Sequence, residues 1–442
     1  MNFQQALRDL DARQPESMPE PSLDRIRAIA ELLDQPERTY PSVQVTGTNG
    51  KTTIARLVSA LACAHGLTTG TFTSPHLTSV TERLSVCGTE VTVAEFGEEY
   101  ERLLPYLQSV DVSVGPVTYF EALTALAYLW FADKPVGLGV FEVGMGGTWD
   151  ATNLVRGEIS VVGPIGLDHV DQLGHSVEEI AREKSGVIKE GATTVVREQR
   201  PEAMRVLEQR AAQVGATLVV EGRDFSLADR AQAVGGQLVT VAGIHAGYEE
   251  FFLPLFGEAV ARNAAAAVAA VEALLGRALD VGAVAAALGA ASVPGRVEVA
   301  GHQPLVVLDG AHNPDAARSL VETLREAFRW SRLHLVIAMF GDKDVAAVTG
   351  DLAAITDRAY VAPNSAVRSA TADRVAEGLR SGAVADVQTF TTVEGALQAA
   401  IEAAEEEDLI LVTGSFYTVG DARRALASVS HPPADPASGG RS

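Results

Sequence analysis

Thr46-Gly47-Thr48-Asn49-Gly50-Lys51-Thr52-Thr53 is the stretch that decides how the rest of the chain is read. Before it stands the β-branched run Val43-Gln44-Val45, and after it Ile54, Leu57, Val58 and Leu61 recur on one helical face. The pattern is strand, glycine loop, helix. Gly47 and Gly50 let the backbone approach a ligand and turn its N–H groups inward, and the helix start adds the positive end of its dipole. Lys51 supplies a charge, and Thr52 or Thr53 a hydroxyl for Mg²⁺. Together these make a phosphate cradle over residues 47–53. Its spacing is GxxGK[ST], shorter than the usual GxxxxGK[ST], which points away from the common nucleotide hydrolases.

A chain of 442 residues, 47% hydrophobic and 21% charged, is too long for one core and of ordinary composition for a globular enzyme. The longest apolar region, Tyr119 to Val143, is interrupted by Glu121, Asp133, Lys134, Pro135 and Glu142, so it reads as a buried helix and strand rather than a membrane span. The amino terminus has no basic start before an apolar core and does not read as a signal peptide, which predicts a cytoplasmic protein. Cys63 and Cys87 are too few for a disulfide framework or a metal cluster and read as core thiols. The net charge of −22 argues against nucleic acid and anionic membranes as partners. Of only five lysines, Lys51, Lys184 and Lys343 lie inside motifs, as an acidic protein handling anionic ligands requires.

Along the chain, residues 1–21 read as a loose polar leader, and Leu23 to Leu33 as a helix. A short strand, Leu67 to Phe72, runs into Thr73-Ser74-Pro75-His76-Leu77, a candidate substrate loop. The strand Val136 to Val143 ends in Glu142 and the glycine run before Asp150, and the strand from Ile159 ends near Asp168-His169. Two strand tips thus bring Glu142 and His169 beside the phosphate loop, a plausible Mg²⁺ site once a loop hydroxyl joins them. Val177 to Lys189 reads as a helix on which Lys184, taken alone, is an exposed ion-pair residue. Phe225 to Tyr248 looks like a β-hairpin excursion, and the alanine-rich segment after Asn263 like a tightly packed helix. Ser292 to Arg296 marks a boundary, after which the βα rhythm restarts. The expected architecture is α/β, with a mostly parallel sheet in residues 1–293 and a Rossmann-like domain in 294–430, followed by a disordered tail over 431–442.

Ten motifs in one order carry a family resemblance: TGTNGKTT, TSPHL with ERL, YFEALT, EVGMGGTWDATN, GLDH, EKSGVIK, PGR, DGAHNP, GDKD and TGSFYTVG. From about Leu23 to Arg424 the chain resembles the folylpolyglutamate synthase and dihydrofolate synthase group of the Mur ligase superfamily. The resemblance implies an amino-terminal P-loop ATPase domain and a carboxy-terminal ligase domain. It implies ATP- and Mg²⁺-dependent addition of L-glutamate to folates and to dihydropteroate by a monomeric enzyme. It implies catalytic roles for Lys51, His169, Lys184 and His312, with Lys184 carbamylated by CO₂. Nucleotide contacts would come from Gly47, Thr48, Asn49, Gly50, Lys51, Thr52, Thr53, Asn263, Arg296 and Asp309, reaching across a domain cleft. Metal ligands would be Thr52 (or Thr53), Ser74, Glu142 and His169, and substrate contacts Ser74, Pro75, His76, Arg83, Asp150 and Ser415. The chain departs from the common folate form GTNGKGS at Thr52-Thr53, as peptidoglycan Mur ligases do, and has Thr148 where arginine often stands. A peptidoglycan-type ligase and a P-loop ATPase or kinase are the alternatives.

Overall fold

Ser42–Thr46 form β1, buried along its whole length, and the first sheet is assembled about it. The structure, a computed structural model, describes residues 1–15 and 21–430. The sheet adds β2 (Thr69–Phe72), β3 (Leu84–Val86), β4 (Thr89–Glu90), β5 (Leu138–Glu142), β6 (Ile159–Val162), β7 (Thr193–Val196) and β8 (Thr217–Val220). Its order is β4-β3-β2-β5-β1-β6-β7-β8, parallel except for the β2–β3–β4 edge. Val45 stands opposite both Glu142 and Val161, so the carboxyl ends of β5 and β6 flank that of β1. In an open parallel sheet this edge is where loops gather ligand groups.

Packing explains the helices. Helix Lys51–Ala64 begins directly after Gly50, and its buried Ile54, Leu57, Val58 and Leu61 share a core with helix Glu258–Leu275. The latter is buried from Ala264 to Val271, where short side chains allow close approach. On the sheet's other face Phe72 and Phe141 join Tyr128 and Phe131 of helix Tyr119–Asp133.

Four expectations need correction. The leader is not loose at its start, because Phe3–Ala12 is a helix with an Asn2–Gln5 capping box and buried Ala6 and Leu10. Polar composition hid that narrow apolar stripe. The hairpin excursion is a three-stranded antiparallel meander of β9 (Ser226–Ala233), β10 (Gly236–Ala242) and β11 (Gly247–Leu253), because alternation continues past Tyr248 with inward Phe251 and Leu253. Helix Val177–Lys184 stops at Lys184 and tightens into a 3₁₀ turn over Ser185–Val187. Finally, Cys63 and Cys87 are joined by a disulfide. The antiparallel pairing of β2 with β3, Gly70 opposite Val86, carries Cys87 back to the end of the helix that bears Cys63. Linking residues 24 apart removes freedom from the unfolded chain by roughly 3 kcal/mol. Reduction is expected to lower the unfolding midpoint in denaturant accordingly, and thiol titration of the unreduced protein to find no free cysteine.

A second compact unit begins at Pro294, after a first that ends at Val293. Its strands β12 (Glu298–His302), β13 (Leu305–Leu308), β14 (Leu333–Ile337), β15 (Arg358–Val361), β16 (Asp386–Thr389) and β17 (Leu409–Thr413) are ordered β12-β13-β17-β14-β15-β16, and only β12 runs antiparallel. The tail expected over 431–442 lies outside the described residues.

Candidate active site

The loop after β1 has the shape its glycines demand. Gly47 adopts φ +146° against Gly163, and Gly50 adopts φ +83° against the amide of Asn263. A Cβ at Gly50 would stand 2.7 Å from Asn263 Nδ2, so both φ and space exclude a side chain there. Thr48 pins the loop to the segment after β6, its N–H donating to Pro164 O at 2.9 Å and its hydroxyl bonding Gly166. Lys51 Nζ donates to Gly47 O (3.0 Å) and Thr48 O (3.2 Å), which holds the ammonium over the loop. Asn49 lies half-buried at the bend.

Glu142 ties three segments together. At the tip of β5 and 1% exposed, it accepts from Thr52 Oγ1 (2.8 Å) and from the N–H of Ser74 (3.0 Å). Thr53, by contrast, is buried, so Thr52 is the hydroxyl directed at the carboxylate. His169 follows β6 in the left-handed conformation, its N–H on Asp168 Oδ1 and its Nε2 3.9 Å from Asp168 Oδ2.

Lys184 overturns the exposed ion-pair reading. It is 3% exposed, and its Nζ donates to Gly47 O at 3.0 Å. Burial first, then the charge of Lys51, lowers its pKa to about 7. Glycines make room for this: a Cβ at Gly147 would meet Lys184 O at 2.8 Å, and one at Gly186 would meet Thr148 Cα at 2.4 Å. Thr148 takes up Glu183 instead, through its N–H (2.9 Å) and hydroxyl (3.0 Å).

In the Ser74–Leu77 loop, Pro75 follows a cis peptide and His76 Nδ1 accepts from Arg83 Nε at 3.0 Å. Arg83 is buried, 5.3 Å above the Tyr119 ring, and so braces His76 from behind. Asp150 is also buried; it accepts from the N–H groups of Met145 (3.0 Å) and Thr152 (2.9 Å) and shapes the glycine run. The same stretch borders a cavity of about 260 Å³ lined by Phe120, Glu121, Met145, Trp149 and Asp150. Arg25 closes one side, paired with Glu121 at 3.0 Å. Sequence reasoning missed this cavity. Its available signal was a carboxylate, Glu121, in an otherwise apolar helix.

Within the second unit, Asp309 follows β13, 6% exposed, and accepts from Val297 N (2.9 Å) and Ala311 N (2.8 Å). Burial pushes its carboxyl up, against the pull of Arg296. The Arg296 guanidinium lies over the Phe416 ring at 4.4 Å, and His312 Nδ1 stands 2.8 Å from Gly310 O. Ser415, expected as a substrate contact, is 2% exposed with its hydroxyl engaged by Asn364 Nδ2 (3.0 Å), Thr418 Oγ1 (2.8 Å) and Thr418 N (3.1 Å). It serves as an internal junction at the start of the last helix.

Residues 45–271 match the Mur ligase middle domain, and residues 295–416 the Mur ligase glutamate ligase domain. The dihydrofolate synthase/folylpolyglutamate synthase of Mycobacterium tuberculosis is 38% identical, over 94% of this chain and 92% of that one. The chain belongs to the dihydrofolate synthase/folylpolyglutamate synthase family of Mur ligases. Another member, from Escherichia coli, is 34% identical over 91% of this chain and 92% of its own. The M. tuberculosis folylpolyglutamate synthase complexed with ADP superposes with a TM-score of 0.92 at 37% identity, covering 96% of this chain and 98% of that one. The E. coli FolC protein in complex with DHPP and ADP does so with a TM-score of 0.85 at 31% identity, over 97% and 98%. Among the described residues no helix is long and apolar enough to cross a membrane.

Proposed function

We propose that this member of the dihydrofolate synthase/folylpolyglutamate synthase family joins L-glutamate to the carboxylate of a folate-type acceptor, tetrahydrofolate or dihydropteroate, at the expense of ATP. The observation that carries the reading is Glu142, which draws the phosphate-loop hydroxyl Thr52 and the backbone of Ser74 to one point beside Lys51. A carboxylate does not condense with an amine at neutral pH. An acceptor oxygen therefore first takes the γ-phosphoryl group, ADP leaves, and an acyl phosphate results. The glutamate amine then attacks the acyl carbon, phosphate departs, and the nitrogen gives up its proton. Lys51 and the loop N–H groups other than that of Thr48, which Pro164 O takes, bind and orient the transferring phosphates. The cavity between Phe120 and Trp149, with an aromatic wall and the Arg25–Glu121 pair, supports seating of the acceptor's heteroaromatic end there.

The hard oxygen donors of Thr52, Glu142 and Ser74, with His169, suit Mg²⁺, which would supply charge neutralisation at the phosphates. Lys184 is buried, and its pKa, lowered to about 7, leaves a neutral amine available near pH 7. We assign it a carbamate, formed when Nζ bonds the carbon of CO₂ and releases a proton, which replaces a cation by an anionic oxygen donor. Asn263, Arg296 and Asp309 are assigned to the nucleotide, and His312 to the glutamate side.

The test offers the purified chain ATP, Mg²⁺ and glutamate with dihydropteroate or tetrahydrofolate, and weighs the products by mass spectrometry. Addition of one or more glutamyl units is expected. ATP hydrolysis that ignores every acceptor, or ligation to a nucleotide-sugar acid alone, would overturn the assignment.

A further inference from the structure

We propose that Arg197, braced by Glu221, is a positioning residue that turns the Asn263 amide nitrogen toward the nucleotide beside the phosphate loop. The inference rests on the nucleotide site proposed above and names how one of its contacts is held. Arg197 directly follows β7, its N–H continuing the ladder to Val162 O at 2.9 Å, and its side chain is 4% exposed. Its Nη1 donates to Asn263 Oδ1, and its Nε to Glu221 Oε2 at 2.8 Å. Glu221 is fixed in turn by Arg262 Nε at 2.7 Å and by the N–H of Glu198 at 2.8 Å.

A guanidinium only donates, so the amide atom facing Arg197 has to be the oxygen. That settles an orientation which the shape of an asparagine leaves open. The nitrogen is thereby left on the loop side, where it lies nearer than the oxygen to the position a Gly50 Cβ would take, 2.7 against 3.0 Å. Asn263 is 4% exposed, yet its Nδ2 makes no hydrogen bond within the described residues. A nearly buried amide with two unused N–H bonds beside the glycine loop calls for an acceptor atom on a ligand. The arginine–glutamate network is costly to desolvate and weak evidence of stabilisation in itself, which leaves orientation as its use.

The test uses the full chain and measures ADP affinity by calorimetry, with KM for ATP, acceptor and glutamate. Arg197→Met combined with Glu221→Gln leaves no buried charge unpaired. This pair of changes is expected to weaken ADP and raise the ATP KM about tenfold, with kcat and the acceptor KM little changed. Asn263→Ala should do the same, and all three changes together should be no worse than Asn263→Ala alone, because Arg197 acts through the amide. Asn263→Asp leaves the network intact but presents oxygen on both sides, and should weaken ADP by at least as much. Losses that add, or unaltered ADP affinity in Asn263→Asp, would overturn the proposal. Lys51→Ala separates the two levels: if it binds ADP as the native chain does, the nucleotide site itself is misplaced, whereas loss of binding there with additive Arg197 and Asn263 effects removes only the positioning role.

Discussion

Lys184→Arg is expected to lose ligation by on the order of a thousandfold while the protein stays folded. Arginine keeps the positive charge and cannot form a carbamate. If the charge at this position has to be anionic, the substitution fails; if Lys184 were only a cation, it would work. Lys184→Ala should be equally inactive, and short carboxylic acids should restore part of the activity by filling the space with a carboxylate. Native activity in Lys184→Arg would sink the assignment. The pH dependence has a definite sign. The folded amine is neutral above about pH 7, whereas the ordinary value is 10.5. The uncarbamylated chain therefore takes up a proton on unfolding between those values, so its stability rises with pH across that window and carries the full burial cost below 7. Ligation should fall as pH drops through about 7, where the amine protonates and CO₂ can no longer be held. Added bicarbonate should move that limb to lower pH. A limb indifferent to bicarbonate would count against the carbamate.

Lys51→Ala is expected to reduce ATP turnover by a comparable factor, since its ammonium lies over the carbonyls of Gly47 and Thr48, where the phosphates would sit. Lys51 is half-buried and helix Lys51–Ala64 keeps its packed face, so the melting temperature should change little. Turnover near the native rate would sink the phosphate-loop reading. Measuring phosphate release and amide formation together distinguishes loss of phosphoryl transfer from loss of the second step.

The phosphate loop was legible because its constraints are local. Only glycine accepts the conformations at 47 and 50, and Lys51-Thr52 follow at once on the helix. The tips of β5 and β6 were legible because β-branched runs announce the strands and polar residues end them. Lys184 was misread on its own pattern. In the run VEEIAREK it falls on the same stripe as Val177, Ile180 and Ala181, but a lysine there reads as a charge that stays in water, and only the absence of side chains at Gly186 and at Gly147, distant in sequence, lets the helix end sink. Arg197 was invisible for a similar reason: Arg-Glu-Gln-Arg after a strand reads as a solvated loop until β8 brings Glu221 and helix Glu258–Leu275 brings Asn263 beside it. The engagement of Ser415 was equally illegible, because a hydroxyl next to a glycine at a strand end looks available until Asn364 and Thr418 are brought to it.

The Cys63–Cys87 bond closes a covalent ring around β2, Ser74, His76 and Arg83. A protease that cuts once within that ring leaves the chain a single molecule, with both new ends tethered. Its mass rises by one water, and it migrates as two fragments only after reduction. A break in the loop that carries Ser74 is then a local event, and the strands on either side keep each other's company long enough to re-pair.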